Sequence, residues 1–259
     1  KGESFTLPEV TLPMLDGAIK IKNVKARREG KDLVCGPVPY ARTAHWALVQ
    51  IDAGLVLLAC DQAQHSLLAA HACAGELRWP AAVLNAKEVM QTNTSLLHAQ
   101  ACVIAGQLAG ALSQVFDMTL RYANERVQFG KPIGKFQAVQ HQISVMAEHS
   151  AMASMAARIG CDSDSHLPNA GRAAIAKAVT SEAAAQVANL GHALHGAIGM
   201  TEEYDLQLYT RRLHEWRLCA GSESYWQQRI GADLLAGSID ALDFVRDCMR
   251  SQDSARERG

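Results

Sequence analysis

"RYANERVQFGKPIGKFQAVQH", Arg121–His141, links two stretches that both carry helical periodicity. Arg126 closes the first helix, Phe129-Gly130 makes a sharp turn, Pro132 stiffens the link, and Phe136-Gln137 opens the second helix. A guanidinium grips phosphate oxygens as a rigid fork, and the first N–H groups of a helix have no partner within it. An arginine, a glycine turn and a helix start in one short link therefore fit an anion site. They fit equally an ordinary helix hairpin with a solvated arginine.

The surrounding pattern sets the fold. Upstream, Leu97, Ala101, Ile104, Leu108, Leu112 and Val115 recur at spacings of three and four, which is one helix face. Thr92, Asn93 and Thr94 offer its N-cap. Gly106 and Gly110, among many alanines, predict close approach by another helix. Downstream, Val139, Ile143 and Met146 keep helical spacing. After the polar loop "CDSDSHLPNAG" (Cys161–Gly171), a third helix carries Ile175, Val179, Ala183, Val187, Leu190 and Leu194. Shorter helices are expected around Tyr204–Trp216, Ser222–Leu235 and Ile239–Met249, followed by a polar tail. Long helices with short links predict an antiparallel bundle. The region up to about Ala86 reads differently. "AIKIK" (Ala18–Lys22) alternates, "WALVQI" and "GLVLLAC" flank the turn "DAG", and "GKDLVCGPVP" carries Gly and Pro punctuation. The fold class is α+β, mostly α. A small antiparallel β domain (1–90) precedes a C-terminal four-helix bundle (91–250) and a tail (251–259).

Composition narrows the function. The net charge is -1, so no field draws the chain to nucleic acid or an anionic membrane. Aromatic residues make up 5%, too few for a base-stacking platform. The longest small-apolar run, Ala101–Leu112, is broken by Gln107 and is shorter than the ~20 residues a bilayer requires, so no membrane insertion is expected. Seven cysteines without a C-x-x-C pair fit neither a disulfide framework nor a metal site, and suit a reducing cytoplasm.

A second stretch is "LHGAIGMTEEYDLQLYTRR", Leu194–Arg212. Gly196 and Gly199 flank a helix end, where bare backbone can approach a ligand or simply form a C-cap. His195 reads as a structural histidine or a ligand contact, and Arg211-Arg212 as a solvated face. Together the two stretches resemble the C-terminal part of the acyl-CoA dehydrogenase family. That family carries an Arg-x-x-Phe-Gly turn, a Phe/His-Gln helix start and a later His-Gly-Gly-x-Gly segment running into Tyr/Arg-Arg. The resemblance covers roughly Ala18 to Leu235 and is strongest from Gln100 on. It implies a middle β domain and a helical bundle, without counterpart here for the family's N-terminal helical domain. It implies FAD-dependent α,β-dehydrogenation of an acyl-CoA thioester in a homo- or hetero-dimer or tetramer, with electron-transfer flavoprotein as acceptor. Carried across residue by residue, Arg126, Phe129 and Gln137 match one FAD-contacting segment. His195, Gly196 and Ala197 match another, and Ser222 matches a hydroxyl near the cofactor.

Several positions depart from the pattern, among them Ala197, where the family usually has a second Gly. The family's catalytic Glu falls on Ala220, and its alternative location falls on Ala101. The Trp-x-Thr flavin-side segment reads Leu33-Val34-Cys35, and a Gln before the His-Gly pair reads Ala193. Alanine cannot take a proton, and a general base is typically worth ~10²–10⁴-fold in rate. Three readings follow. The chain is the base-less subunit of a hetero-oligomer, or an active dehydrogenase with a relocated base, or a non-enzymatic helical interaction module. Glu223 is the nearest replacement base, with Glu215, His214 and Glu202 more remote. The retained Arg126, Phe129, Gln137 and His195-Gly196 are those the family offers across its dimer interface, which favours the first reading.

Overall fold

Alternating and 3.6-residue patterning divide the chain into a strand-bearing and a helical part. The computed structural model describes residues 20–25, 27–39, 44–51, 54–67, 74–86, 89, 96–162, 168–237 and 240–249. Two compact units are present, Lys1–Leu97 and His98–Gly259. The expected N-cap at Thr92–Thr94 and the tail at 251–259 lie outside the described residues.

In the first unit, β1 (Lys20–Lys25), β4 (Trp46–Ile51) and β5 (Gly54–Ala59) form one sheet in the order β1-β4-β5. β4 and β5 pair antiparallel down to Ile51↔Gly54, as the "DAG" turn predicts, while β1 runs parallel to β4. β2 (Arg27–Glu29), β3 (Asp32–Pro39), β6 (Gln64–Leu67) and β7 (Ala74–Pro80) form the second, in the order β2-β3-β7-β6. The Gly-Pro punctuation at 36–37 does not end a strand. It falls in β3, where pairing with β7 shifts register between Cys35 and Val38. Proline lacks the N–H a ladder requires, so an irregularity is where a strand tolerates it. Leu33, Cys35, Val49, Val56, Leu58, Leu77 and Trp79 fill this core. The Trp79 indole donates to the Ala59 carbonyl at 2.9 Å.

The second unit holds α1 (Leu96–Glu125), α2 (Gln137–Cys161), α3 (Ala170–His195), α4 (Leu206–Leu218), α5 (Glu223–Ala236) and α6 (Ala241–Met249). Two short strands, β8 (Val127–Gln128) and β9 (Lys131–Pro132), join α1 to α2. The core draws on α1 through α4. Ile104, Leu108, Leu112 and Val115 of α1 meet Met146 and Ala153 of α2, Ala183, Ala184, Val187 and Ala188 of α3, and Leu206 and Leu213 of α4. α1 is long and apolar enough to cross a bilayer by composition, but 61% of its most apolar window is buried inside the protein.

Two expectations are corrected. Gly106 and Gly110 are exposed, and a Cβ at either meets nothing within 4 Å. They lie away from the Leu108–Leu112 face, on a side of α1 that no helix among the described residues covers. Close approach occurs instead at Gly160, where a Cβ would lie 2.5 Å from Ala176 Cβ. The single stripe expected for α3 is also too narrow. Ala173, Ala174, Ala176, Ala178, Ala183, Ala184 and Ala188 are all buried, because α3 is central and surrounded by neighbours.

Candidate functional site

The link between α1 and α2 is a β-hairpin. The Arg126 N–H donates to the Tyr122 carbonyl at 2.8 Å and ends α1. Val127 pairs with Pro132 and Gln128 with Lys131, leaving Phe129-Gly130 as a two-residue turn. Both turn residues have positive φ, 53° and 79°, the type I′ geometry that matches strand twist. Glycine takes that conformation freely, whereas phenylalanine does so at a cost of roughly 1–2 kcal/mol. Phe129 is 92% exposed, with its ring edge-on to Phe136 at 6.2 Å. Strain without burial holds an apolar ring out where this chain does not use it. Arg126 is exposed, and its guanidinium has no hydrogen-bond or ion-pair partner among the described residues. α2 begins at Gln137 behind Phe136 without a side-chain cap and with no acidic residue in its first turn. The Lys131 ammonium sits 4.3 Å from the centre of the Phe136 ring. Free guanidinium, uncapped N–H groups and a neighbouring lysine make a positive corner suited to an anion from outside the chain.

The second stretch meets this hairpin at its root. Tyr122 stacks on His195, ring centres 4.4 Å apart at 22°, and its hydroxyl donates to the His195 carbonyl at 3.4 Å. His195 is buried. Its Nδ1 donates to the Gly191 carbonyl at 2.8 Å, which leaves Nε2 to accept from the Tyr204 hydroxyl at 3.4 Å. Burial pushes its pKa below the ordinary value, so the ring is neutral. The histidine is thus spent internally, and the segment presents backbone outward instead. Gly196 is exposed at φ 65°, ψ -144°, with open space where a side chain would stand. Ala197 beside it is exposed too.

Ser222, Ala220 and Glu223 lie elsewhere. Their loop joins α4 to α5 and is tied to Lys177, near the start of α3. Lys177 donates to the Arg217 and Gly221 carbonyls at 2.9 and 2.8 Å. His195 ends the same helix eighteen residues later, about 27 Å away at 1.5 Å per residue. The six sequence-selected residues therefore form two groups. His195 and Gly196 close the C-terminal end of α3, against Tyr122 of the last turn of α1, which leads into Arg126, Phe129 and Gln137. Ser222 sits at the other end. Ser222 caps α5, its hydroxyl accepting from the Tyr225 N–H at 3.4 Å.

The candidate bases fare differently from one another. Glu223 is gripped by both arms of the Arg217 guanidinium, Nε at 2.9 Å and Nη2 closer still. That contact holds its carboxyl below the usual range. Glu215 is paired to Arg212 at 2.7 Å, and His214 and Glu202 are exposed. Ala101, Leu33 and Cys35 are buried in their own cores. Among the described residues no cluster of His, Cys, Asp or Glu could hold a metal. Sequence reading passed over Tyr122 and Lys177. Tyr122 stood inside the first quoted stretch, and Lys177 was signalled by a lysine set among alanines and β-branched residues with Ser181 four residues on.

A sequence profile for the acyl-CoA dehydrogenase C-terminal domain matches residues 89–235, more than half of the chain. The chain belongs to the acyl-CoA dehydrogenase family. Acyl-CoA dehydrogenase IpdE2 of Mycobacterium tuberculosis is 38% identical over 114 residues, covering 44% of this chain and 35% of that protein. The matched stretch thus spans about a third of that relative's length. Among solved structures, glutaryl-CoA dehydrogenase from Mycobacterium smegmatis, in complex with FADH2, superposes with a TM-score of 0.63 at 22% identity. It covers 84% of this chain and 62% of that one. The ChsE4-ChsE5 complex from Mycobacterium tuberculosis gives 0.66 at 21% identity, covering 86% and 67%. At such identities these two likenesses establish the acyl-CoA dehydrogenase fold and nothing finer.

Proposed function

We propose that this acyl-CoA dehydrogenase relative is a flavoprotein subunit that contributes to FAD sites in an acyl-CoA-oxidising hetero-oligomer and lacks a base of its own. One observation carries the reading: residues assigned to a single cofactor lie at opposite ends of α3, His195 and Gly196 at its C-terminal end and Ser222 beside the loop held by Lys177, about 27 Å of helix earlier. A site that needs both ends closes only with a second subunit. At one end, Arg126, the uncapped start of α2 and the bare backbone at Gly196–Ala197 fit a diphosphate that reaches over from a neighbour. Phe129 supplies an apolar surface beside it. At the other end, Ser222 is the hydroxyl that the family resemblance assigns to the chain's own site. The chemistry that FAD supplies when bound is acceptance of a hydride from an acyl-CoA thioester.

The chain's residues do not remove the α-proton. Ala220 holds no proton, and Glu223, pinned by Arg217, is a weak acceptor because its carboxylate is stabilised in place. A carboxylate from the partner subunit is left to serve. The likeness to ChsE4-ChsE5, a two-component complex, supports a hetero-oligomer. Electron-transfer flavoprotein is the proposed acceptor, and the cytoplasm the proposed location. The alternative of Glu223 as a relocated base is weakened by its ion pair, and a purely structural helical module predicts no flavin.

Purification from the native host tests the reading. The supporting result is a yellow assembly with a second, related subunit, which oxidises acyl-CoA with an artificial acceptor while the isolated chain does not. Turnover by the isolated chain that collapses on Glu223→Gln would establish the relocated base instead. A colourless protein under all conditions would leave the structural module.

A further inference from the structure

Lys177 is fully buried, yet none of its bonding capacity is idle. Its ammonium donates to Ser181 Oγ at 2.6 Å, to the Arg217 carbonyl at 2.9 Å and to the Gly221 carbonyl at 2.8 Å. An ammonium has three donors, and two of them close on carbonyls that bracket Ala220. Ala220 itself has φ 56°, a conformation a non-glycine residue keeps only where its surroundings impose it. The surroundings do so from several directions. The Trp226 indole donates to the Ala220 carbonyl at 2.8 Å. At Gly221, φ 92°, a Cβ would lie 2.6 Å from Tyr225 and 2.8 Å from Trp226. A buried methionine would fill the same volume without desolvating a charge, so the packing alone does not call for a lysine.

We infer that Lys177 is the positioning residue of the 217–222 loop: by drawing the Arg217 and Gly221 carbonyls onto one ammonium, it fixes Ala220 in its left-handed conformation and aims the Ser222 end of α5. Its protonation then governs the loop. Deprotonation removes one of three donors and the charge that strengthens the others. The titratable or charged groups acting on Lys177 are Cys219 in the loop, Glu223 at the start of α5 and Arg217 at the end of α4. Burial, with Arg217 acting in the same direction, outweighs Cys219 and Glu223 and lowers its pKa to about 7, so the latch works in the physiological range. The consequence for cofactor binding rests on the flavin reading above. The latch itself does not.

The indole N–H of Trp226 reports on the Ala220 carbonyl directly, and ¹⁵N spectra of the full chain follow it from pH 6 to 9. In the wild type it moves in a step near pH 7, and in Lys177→Met that step is gone. The His98 ring lies 5.5 Å from Trp226, so the reading is the difference between the two proteins. Ser181→Ala removes an acceptor of the charged form and shifts the step to lower pH, which carries the test if Lys177→Met does not fold. An identical step in Lys177→Met, or an unmoved step in Ser181→Ala, overturns the latch. FAD affinity measured alongside separates the two claims. Affinity that follows the indole step ties the latch to the cofactor, whereas a titrating indole with constant affinity keeps the latch and removes the flavin from this end of α3.

Discussion

In the proposed reading, Arg126 is the side chain on which cofactor retention turns. It is exposed and without a partner among the described residues, so removing it costs the fold little. A hydrogen bond to a charged group is worth about 1.5–3 kcal/mol, so Arg126→Ala should weaken FAD binding on the order of tenfold or more. Its thermal midpoint should match the wild type, and fluorescence titration with scanning calorimetry checks both. Glu223→Gln should leave partner-dependent turnover within about threefold, far from the ~10²–10⁴-fold expected of a general base. Lys177 predicts a pH effect with a definite sign. In the unfolded chain it keeps its proton up to an ordinary lysine pKa of 10.5, whereas folded it releases that proton near 7. Between those values folding expels a proton, so this residue makes stability rise with pH, by up to ~1.4 kcal/mol per unit. Urea unfolding at pH 7.5 and 9.5 should show a steeper rise in the wild type than in Lys177→Met. Residue types were readable from sequence, but their surroundings were not. Nothing local distinguishes a glutamate gripped by Arg217 from a solvated one, or a histidine that bonds Gly191 from a ligand contact.

The hairpin between α1 and α2 holds Phe129 in a left-handed conformation with its ring exposed. Phe129→Gly relieves a left-handed phenylalanine and should raise stability by about 1 kcal/mol. The same change removes the exposed ring and should weaken subunit association or FAD retention, as analytical ultracentrifugation and flavin content would show. Improved stability with unchanged assembly and flavin would make the turn a structural accident. The helix starts and ends around this hairpin were legible because glycine and proline act locally. α3 was less so, since alanine marks helix without marking a face, and the burial of Ala173 through Ala188 is set by its neighbours. Gly106 and Gly110 misled for the same reason: a small residue permits close approach without requiring it. In β3, a Gly-Pro pair that reads as a stop is absorbed as an irregularity once β7 supplies the pairing.

Taken together, the described bundle sets the motif residues at two ends of α3, which the proposal reads as two half-sites. The family was legible because its motif residues are contiguous in sequence. Their separation along α3 was not, because spacing along the chain gives no distance through the fold until the direction of each helix is known. The account's central claim is that the hairpin arginine and the glycine break hold a diphosphate from across a subunit boundary. The structure of the flavin-loaded assembly tests it most directly. The distance from the Arg126 guanidinium to the nearest diphosphate oxygen should be about 3 Å, with that FAD seated mainly in the neighbouring subunit. Arg126 standing in bulk solvent, remote from any subunit boundary and any flavin, would contradict the account.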